Sequence, residues 1–278
     1  RHIYSNPEDF EVKGITCNSK EVLENFIFVA IKGNKADGGQ FIEEAIAKGA
    51  KAVIVESSVV SRPMPVGRQE SSEKISFIEV DDTRKALAKL AVEFYGNPSQ
   101  NLKVIGITGT NGKTTISYLI EAILFEAGFI PAVIGTINYR FKDKVIPSKN
   151  TTPGPVEIQS MLCDMLKEGI NYAIMEVSSH ALHQDRTEGI NFHSAIFTNL
   201  TQDHLDYHNT LENYFQAKAK LFKNIDSHSY AVINEDDAYG RKLKKMTRAK
   251  IITYGIENQA DITAKEIESD IAHTEFLL

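Results

Sequence analysis

The sequence predicts an α/β protein in two parts: a small α/β module, then a larger one with a mostly parallel sheet. Three observations carry that expectation. Short β-branched runs alternate with apolar stripes at helical spacing along most of the 278 residues. Gly96-Asn97-Pro98-Ser99-Gln100-Asn101 interrupts the alternation, with glycine and proline to stop a helix and turn the chain. A glycine-rich stretch, Thr108-Gly109-Thr110-Asn111-Gly112-Lys113-Thr114-Thr115, joins a strand-like run to a helix-like one.

In the first module, residues 26–31, 52–55 and 75–80 read as strands, and 40–48 as a helix ended by Gly49. Ala86, Leu87, Leu90, Ala91 and Phe94 form an apolar stripe at helical spacing. Asp82 is its natural N-cap, Gly96 its C′ residue and Pro98 its stop. Residues 57–74 are polar, contain Pro63 and Pro65, and read as a loop. In the second module the expected strands are 103–108, 130–134, 171–177, 194–198, 229–233 and 250–254. The expected helices are 113–127, 155–168, 210–223 and 237–246. Glu275-Phe276-Leu277-Leu278 reads as a strand and not a tail, and the first residue is Arg1, so both ends are expected to be cut from a longer chain.

Apolar residues make up 42% and charged residues 24%, which is globular composition and excludes a disordered, collagenous or coiled-coil chain. A net charge of -6 leaves no basic field for nucleic acid. No apolar run reaches the roughly 18 residues of a membrane helix, and no signal segment opens the chain. Cys17 and Cys163 stand far apart with no CxxC pair, which suits a reducing compartment; a lone disulfide between them stays open.

The strongest local signal is 108–115. Its glycines let backbone N–H groups face phosphate oxygens, and the following helix adds its dipole. Lys113 suits β- and γ-phosphates, and the Thr114 hydroxyl suits Mg²⁺. The strict pattern asks for glycine at Ile107; here the glycines are Gly106, Gly109 and Gly112. Glu176 ends a strand and reads equally as a Mg²⁺ carboxylate or a solvent-facing acid. His204 and His208 are four apart, but zinc needs a third ligand that no HExxH pattern supplies. By spacing alone Lys218 is a solvated helix position, and Thr151 and Thr152 are most simply turn and cap residues.

Together these segments resemble the Mur ligases, ATP-dependent amino-acid ligases of peptidoglycan synthesis. The resemblance runs over essentially the whole chain and rests on 108–115, 150–155, 176–182, 203–208 and 217–222. Glu176-Val177-Ser178-Ser179-His180-Ala181-Leu182 is closest to members that add the third residue of the peptide. The resemblance implies that 1–100 is a uridine-nucleotide (UDP-sugar) domain and that 101–278 is a phosphate-loop ATPase domain stopping short of its end. It also implies a third, amino-acid-receiving domain outside this sequence.

The resemblance further implies ATP and Mg²⁺ as cofactors, with Gly109, Thr110, Asn111, Gly112, Lys113, Thr114 and Thr115 around the phosphates and Asn234 near adenine. Thr114 and Glu176 would hold one Mg²⁺; His204 and a carbamylated Lys218 would hold the second. That reverses the bland reading of Lys218. Ser19 and Lys20 would lie near the uridine diphosphate, Lys20 standing where the family has the planar fork of arginine. Thr151, Thr152, Ser178, Gln184 and Arg186 would surround the muramoyl-dipeptide. The implied substrates are UDP-N-acetylmuramoyl-L-alanyl-D-glutamate and a diamino acid, meso-diaminopimelate favoured over L-lysine. The implied enzyme is a cytoplasmic monomer, with no nucleic-acid or membrane partner. Two alternatives stay open: a ligase for another acceptor, such as a folylpolyglutamate or another step of the same pathway, and a nucleotide-binding fragment without catalysis. The first module, with Phe26-Ile27-Phe28-Val29-Ala30 and Ala36-Asp37-Gly38-Gly39-Gln40-Phe41, favours the muramoyl reading.

Overall fold

The computed structural model describes residues 10–33, 36–57, 75–271 and 273–278. The chain divides into two compact units. One comprises Arg1–Asn97 with Pro155–Ser160 and Asp185–Gly189; the other comprises Pro98–Gly154, Met161–Gln184 and Ile190–Leu278.

The first unit runs β1 (Gly14–Thr16), β2 (Phe26–Val29), α1 (Ile42–Ala47), β3 (Ala50–Glu56), β4 (Ser76–Val80) and α2 (Thr83–Phe94). Its four strands are parallel in the order β1-β2-β3-β4. Alternate side chains feed opposite faces: Phe28, Val53 and Val55 pack with Ile42 and Ala45 of α1, whereas Ile27, Val29 and Ile54 pack with Leu87 of α2. Asp82 caps α2 by accepting the N–H groups of Arg84 (2.9 Å) and Lys85 (3.1 Å). The helix closes with Gly96 at φ 72° and an Asn97 N–H to Val92 C=O bond of 2.8 Å. The expected helix over 40–48 is two pieces, a 3₁₀ turn at Gly38–Phe41 and then α1. Of the expected loop 57–74, residues 58–74 lie outside those described.

The second unit opens with β5 (Lys103–Thr108), α3 (Lys113–Glu126), β6 (Pro131–Ile134), β7 (Asn138–Phe141), β8 (Lys144–Pro147), α4 (Pro155–Lys167) and β9 (Tyr172–Glu176). The first six residues of α4 group with the other unit. There follow α5 (Ser179–His183), β10 (Phe192–Phe197), α6 (Leu205–His208), α7 (Leu211–Asn224), β11 (Tyr230–Asn234), α8 (Ala238–Leu243) and β12 (Lys250–Gly255). The last strands are β13 (Ile262–Thr263), β14 (Lys265–Ser269) and β15 (Thr274–Leu277). Nine strands form one sheet in the order β13-β12-β11-β10-β5-β9-β6-β7-β8. It is parallel from β13 to β6 and antiparallel through β7 and β8. The strands β14 and β15 form a separate antiparallel ribbon.

The expected strands and helices of this unit are all present. The β7–β8 hairpin was not expected: its turn uses Lys142 at φ 49°, without the Asn-Gly or Asp-Gly pair that signals such a turn. The helices α5 and α6 have five and four residues, too few for a periodic pattern. Both cysteines are free thiols, which closes the question of a disulfide between them. Among the described residues no helix is long and apolar enough to cross a membrane.

The strand order positions the site. The chain leaves β5 through α3 toward β6 on one side of β5, and leaves β10 toward β11 on the other. That reversal opens a crevice at the carboxyl ends of β5 and β10, where open α/β sheets bind ligands.

Candidate active site

The loop after β5 fills that crevice. At Gly109, φ is 150°, and a Cβ there would overlap the Thr198 hydroxyl at the end of β10. Gly112 caps α3 at φ 86°. Neighbouring residues tie the loop down: the Asn111 N–H donates to Asn199 Oδ1 (3.0 Å), the Thr198 hydroxyl to Asn111 C=O (2.6 Å), and the Thr110 N–H to Asn199 C=O (2.8 Å). The result is a preformed turn opening a helix, the geometry that cradles phosphate.

Two lysines converge on one carbonyl of this loop. Lys113 Nζ donates to Gly109 C=O (2.9 Å) and Thr110 C=O (2.8 Å); Lys218 Nζ donates to the same Gly109 C=O (2.8 Å). Lys218 is 1% exposed and lies over the Tyr214 ring, 4.5 Å from its centroid. Burial, then the nearby Lys113 charge, holds the Lys218 amine well below the usual lysine range, opposed by Asp203. Burial lowers Lys113 as well, opposed by Glu176 and Asp203. The bland reading of Lys218 as a solvated position is therefore wrong. Helix α7 turns it inward because Tyr214, Ala217, Leu221 and Phe222 share the buried face.

Glu176, 1% exposed, ends β9 beside the loop. Its Oε2 accepts from the hydroxyls of Thr114 and Thr136, each at 2.9 Å, and its Oε1 accepts from the Thr136 N–H at 3.1 Å. It does not face solvent. Among the described residues no three His, Cys, Asp or Glu side chains cluster so as to hold a metal by themselves. A carboxylate beside a threonine hydroxyl at a phosphate loop fits Mg²⁺, which takes few protein oxygens and completes its shell with phosphates and water. It does not fit zinc. His208, the other half of the histidine pair, is buried, bonded through Nε2 to Ser179 Oγ (3.0 Å), and pushed down to about 4 chiefly by burial.

Residues Thr110–Thr115, Thr151, Glu176, Ser178, His204 and Lys218 line one cleft of about 270 Å³, together with Thr136, Ser179 and Tyr214. His204 stands at φ 52°, its N–H on Asp203 Oδ1 (2.8 Å) and its ring edge-on to His180 and Tyr214. Thr152 is buried alongside: its hydroxyl donates to Glu176 C=O (2.8 Å) and accepts from the Ser178 N–H (3.0 Å). The Gln184 amide donates to Tyr207 OH (3.1 Å). The Asn234 amide donates to Thr198 C=O (2.8 Å), and its oxygen accepts from the Asp236 N–H (2.9 Å). Ser19, Lys20 and Arg186 belong to the first unit. There the Ser19 hydroxyl donates to Glu44 (2.7 Å), and the Lys20 N–H is capped by Asn18 (3.1 Å).

Sequence reasoning missed Thr136 and Tyr214. Gly135-Thr136 at the end of a parallel strand was a usable signal for the first, and the i,i+4 spacing from Lys218 for the second.

Residues 107–278 match the Mur ligase middle domain, and residues 11–95 match the domain described as "Mur ligase family, catalytic domain". The UDP-N-acetylmuramoyl-L-alanyl-D-glutamate–2,6-diaminopimelate ligase of Aquifex aeolicus is 51% identical over 244 residues, 88% of this chain and 48% of that protein. The ligase of the same name from Clostridium tetani is 44% identical over 259 residues, 93% of this chain and 51% of that protein. A solved structure under that name superposes with a TM-score of 0.80 at 32% identity, covering 95% of this chain and 53% of that one. The chain spans about half the length of the curated relatives it matches.

Proposed function

The chain belongs to the Mur ligase family, and from that premise we propose that it is the substrate-nucleotide and ATP-binding part of a ligase that adds the third amino acid, meso-diaminopimelate, to UDP-N-acetylmuramoyl-L-alanyl-D-glutamate. Residues 1–100 form the UDP-sugar domain in this reading, and 101–278 the ATP-binding domain. The observation that carries it is one cleft containing the phosphate loop, the Thr114–Glu176 contact and Thr151 with Ser178. The names of the relatives supply the substrate.

In this reaction the γ-phosphoryl group of ATP passes to the side-chain carboxylate of D-glutamate. The diamino acid's amine attacks the acyl phosphate, and phosphate leaves the tetrahedral intermediate. Two anions must meet, so the protein's work is positioning and charge neutralisation. Lys113 exchanges its loop carbonyls for phosphate oxygens, and backbone N–H groups of 109–115 orient them. Asn234, fixed between the ends of β10 and β11, borders adenine. Thr151, Ser178, Gln184 and Arg186 orient the muramoyl-dipeptide, with Thr152, itself buried, fixing the Ser178 N–H, and Ser19 and Lys20 take the uridine diphosphate. Thr114 and Glu176 would hold one Mg²⁺, and His204 with a carbamylated Lys218 a second. When bound, these ions neutralise charge on the phosphates and the carboxylate. Lys218 suits carbamylation: burial favours the neutral form of its amine, which would attack CO₂, release a proton and become an anionic carbamate.

Calorimetric titration with UDP-N-acetylmuramoyl-L-Ala-D-Glu tests the substrate, with UDP-N-acetylmuramate and the tripeptide form as controls. Preference for the dipeptide form is expected. Equal binding of all three overturns the acceptor assignment.

A further inference from the structure

We propose that Thr136 is a positioning residue that locks the Glu176 carboxylate for Mg²⁺ and ties it to Thr151. This rests on the reading of Glu176 as a Mg²⁺ residue. The register explains why Thr136 is there. Strand β6 pairs with β9 so that its last residue, Ile134, faces Met175, and Gly135 just beyond the strand lies against the Glu176 side chain. A Cβ at Gly135 would overlap Glu176 Oε1 and push the carboxylate from this position, so glycine here leaves room for it. Thr136 then donates twice to one carboxylate, N–H to Oε1 (3.1 Å) and Oγ–H to Oε2 (2.9 Å).

A two-point hold on both oxygens fixes the plane of the carboxylate. With the Thr114 hydroxyl turned to Mg²⁺, the Thr136 hydroxyl would be the remaining donor on Oε2, and without it the backbone N–H on Oε1 would leave the carboxylate free to turn about its last torsion. The Thr136 hydroxyl has one proton and gives it to Glu176. Its contact with Thr151 Oγ1 at 3.1 Å is therefore one in which Thr151 donates. Thr151, Thr136 and Glu176 form a directed hydrogen-bond chain along the cleft. Its metal end and its substrate end share one side chain.

Hydrogen-bonding partners of metal carboxylates typically carry about tenfold or more in metal affinity. The test measures affinity of this chain for the non-hydrolysable analogue AMPPCP with and without Mg²⁺; the ratio reports the metal's contribution. Thr136→Val should cut that ratio about tenfold while leaving the metal-free affinity unchanged, and Thr136→Ser should restore it. Thr136→Ala makes the same prediction should the valine variant melt early. An undiminished ratio in Thr136→Val overturns the proposal, and so does an equal loss of affinity with and without metal. Glu176→Gln separates the underlying reading: it should abolish the Mg²⁺ gain, and a gain that survives in it overturns the Mg²⁺ role of Glu176 itself.

Discussion

Helices α3 and α7 border the same cleft and invert the usual relation between composition and burial. Helix α3 has eight apolar or aromatic residues among its fourteen, yet only Ser117 is fully buried in it, with Ile123 66% and Phe125 69% exposed. One stripe, Ile116, Ile120 and Leu124, packs on the sheet. Helix α7 has seven apolar or aromatic residues among its fourteen, one fewer than α3, yet buries Tyr214, Phe215, Ala217, Lys218, Ala219, Leu221 and Phe222. The phosphate loop uses α3 through its first turn, and beyond it one packed stripe holds the helix to the sheet. The chemistry proposed for α7 sits mid-helix at Lys218, so that whole face must be held.

The largest expected effect tests that inversion directly. Phe222→Ala, in contact with Phe197, should cost about 3–5 kcal/mol in denaturant unfolding, while Phe125→Ala should stay within about 0.5 kcal/mol. Equal costs would break the comparison. Next, Lys113→Ala should weaken ATP binding about a hundredfold with little change in melting, because α3 acts through its first residue. Unchanged affinity would remove the phosphate loop from the site.

Lys218→Met sharpens the other half. It keeps the length and removes a buried amine, so in metal-free, CO₂-free buffer it should stabilise the fold by about 1–3 kcal/mol at neutral pH. The pH dependence has a definite sign. The folded-state amine titrates below its unfolded value, so the penalty is present below the folded pKa and is relieved as pH rises toward 10.5. Wild type should therefore gain on the methionine variant as pH rises through that window; a constant difference would mean that Lys218 carries no penalty. The smallest effect is at the start of α7, where the Thr210 hydroxyl accepts the Asn213 N–H at 3.1 Å. Thr210→Ala should cost about 1 kcal/mol in unfolding.

Much of the fold was legible because its signals are local. Asp82 and Gly96 bracket α2 as their chemistry requires, and β5 is bounded by residues 103 and 108 as expected. The β7–β8 hairpin was not legible, since a lysine occupies the turn position that glycine or asparagine would have marked. The site divided in the same way. Residues 108–115 are contiguous and stood out, whereas Lys218 and Glu176 each had a bland alternative that only resemblance could overrule. Thr136 had no signal beyond a Gly-Thr pair after a strand.

By itself the sequence determined the alternation of strands and helices, the phosphate loop and the caps, because each depends on residues within a turn or two of one another. Tertiary structure decided which face of α3 is covered and that Lys218 points inward. It also decided that Glu176 is held by Thr114 and Thr136, 62 and 40 residues away in the chain. Those outcomes follow from strand order and register. Pairing β6 with β9 and placing β5 between β9 and β10 brings distant strand ends together, and no local pattern of residues encodes that meeting.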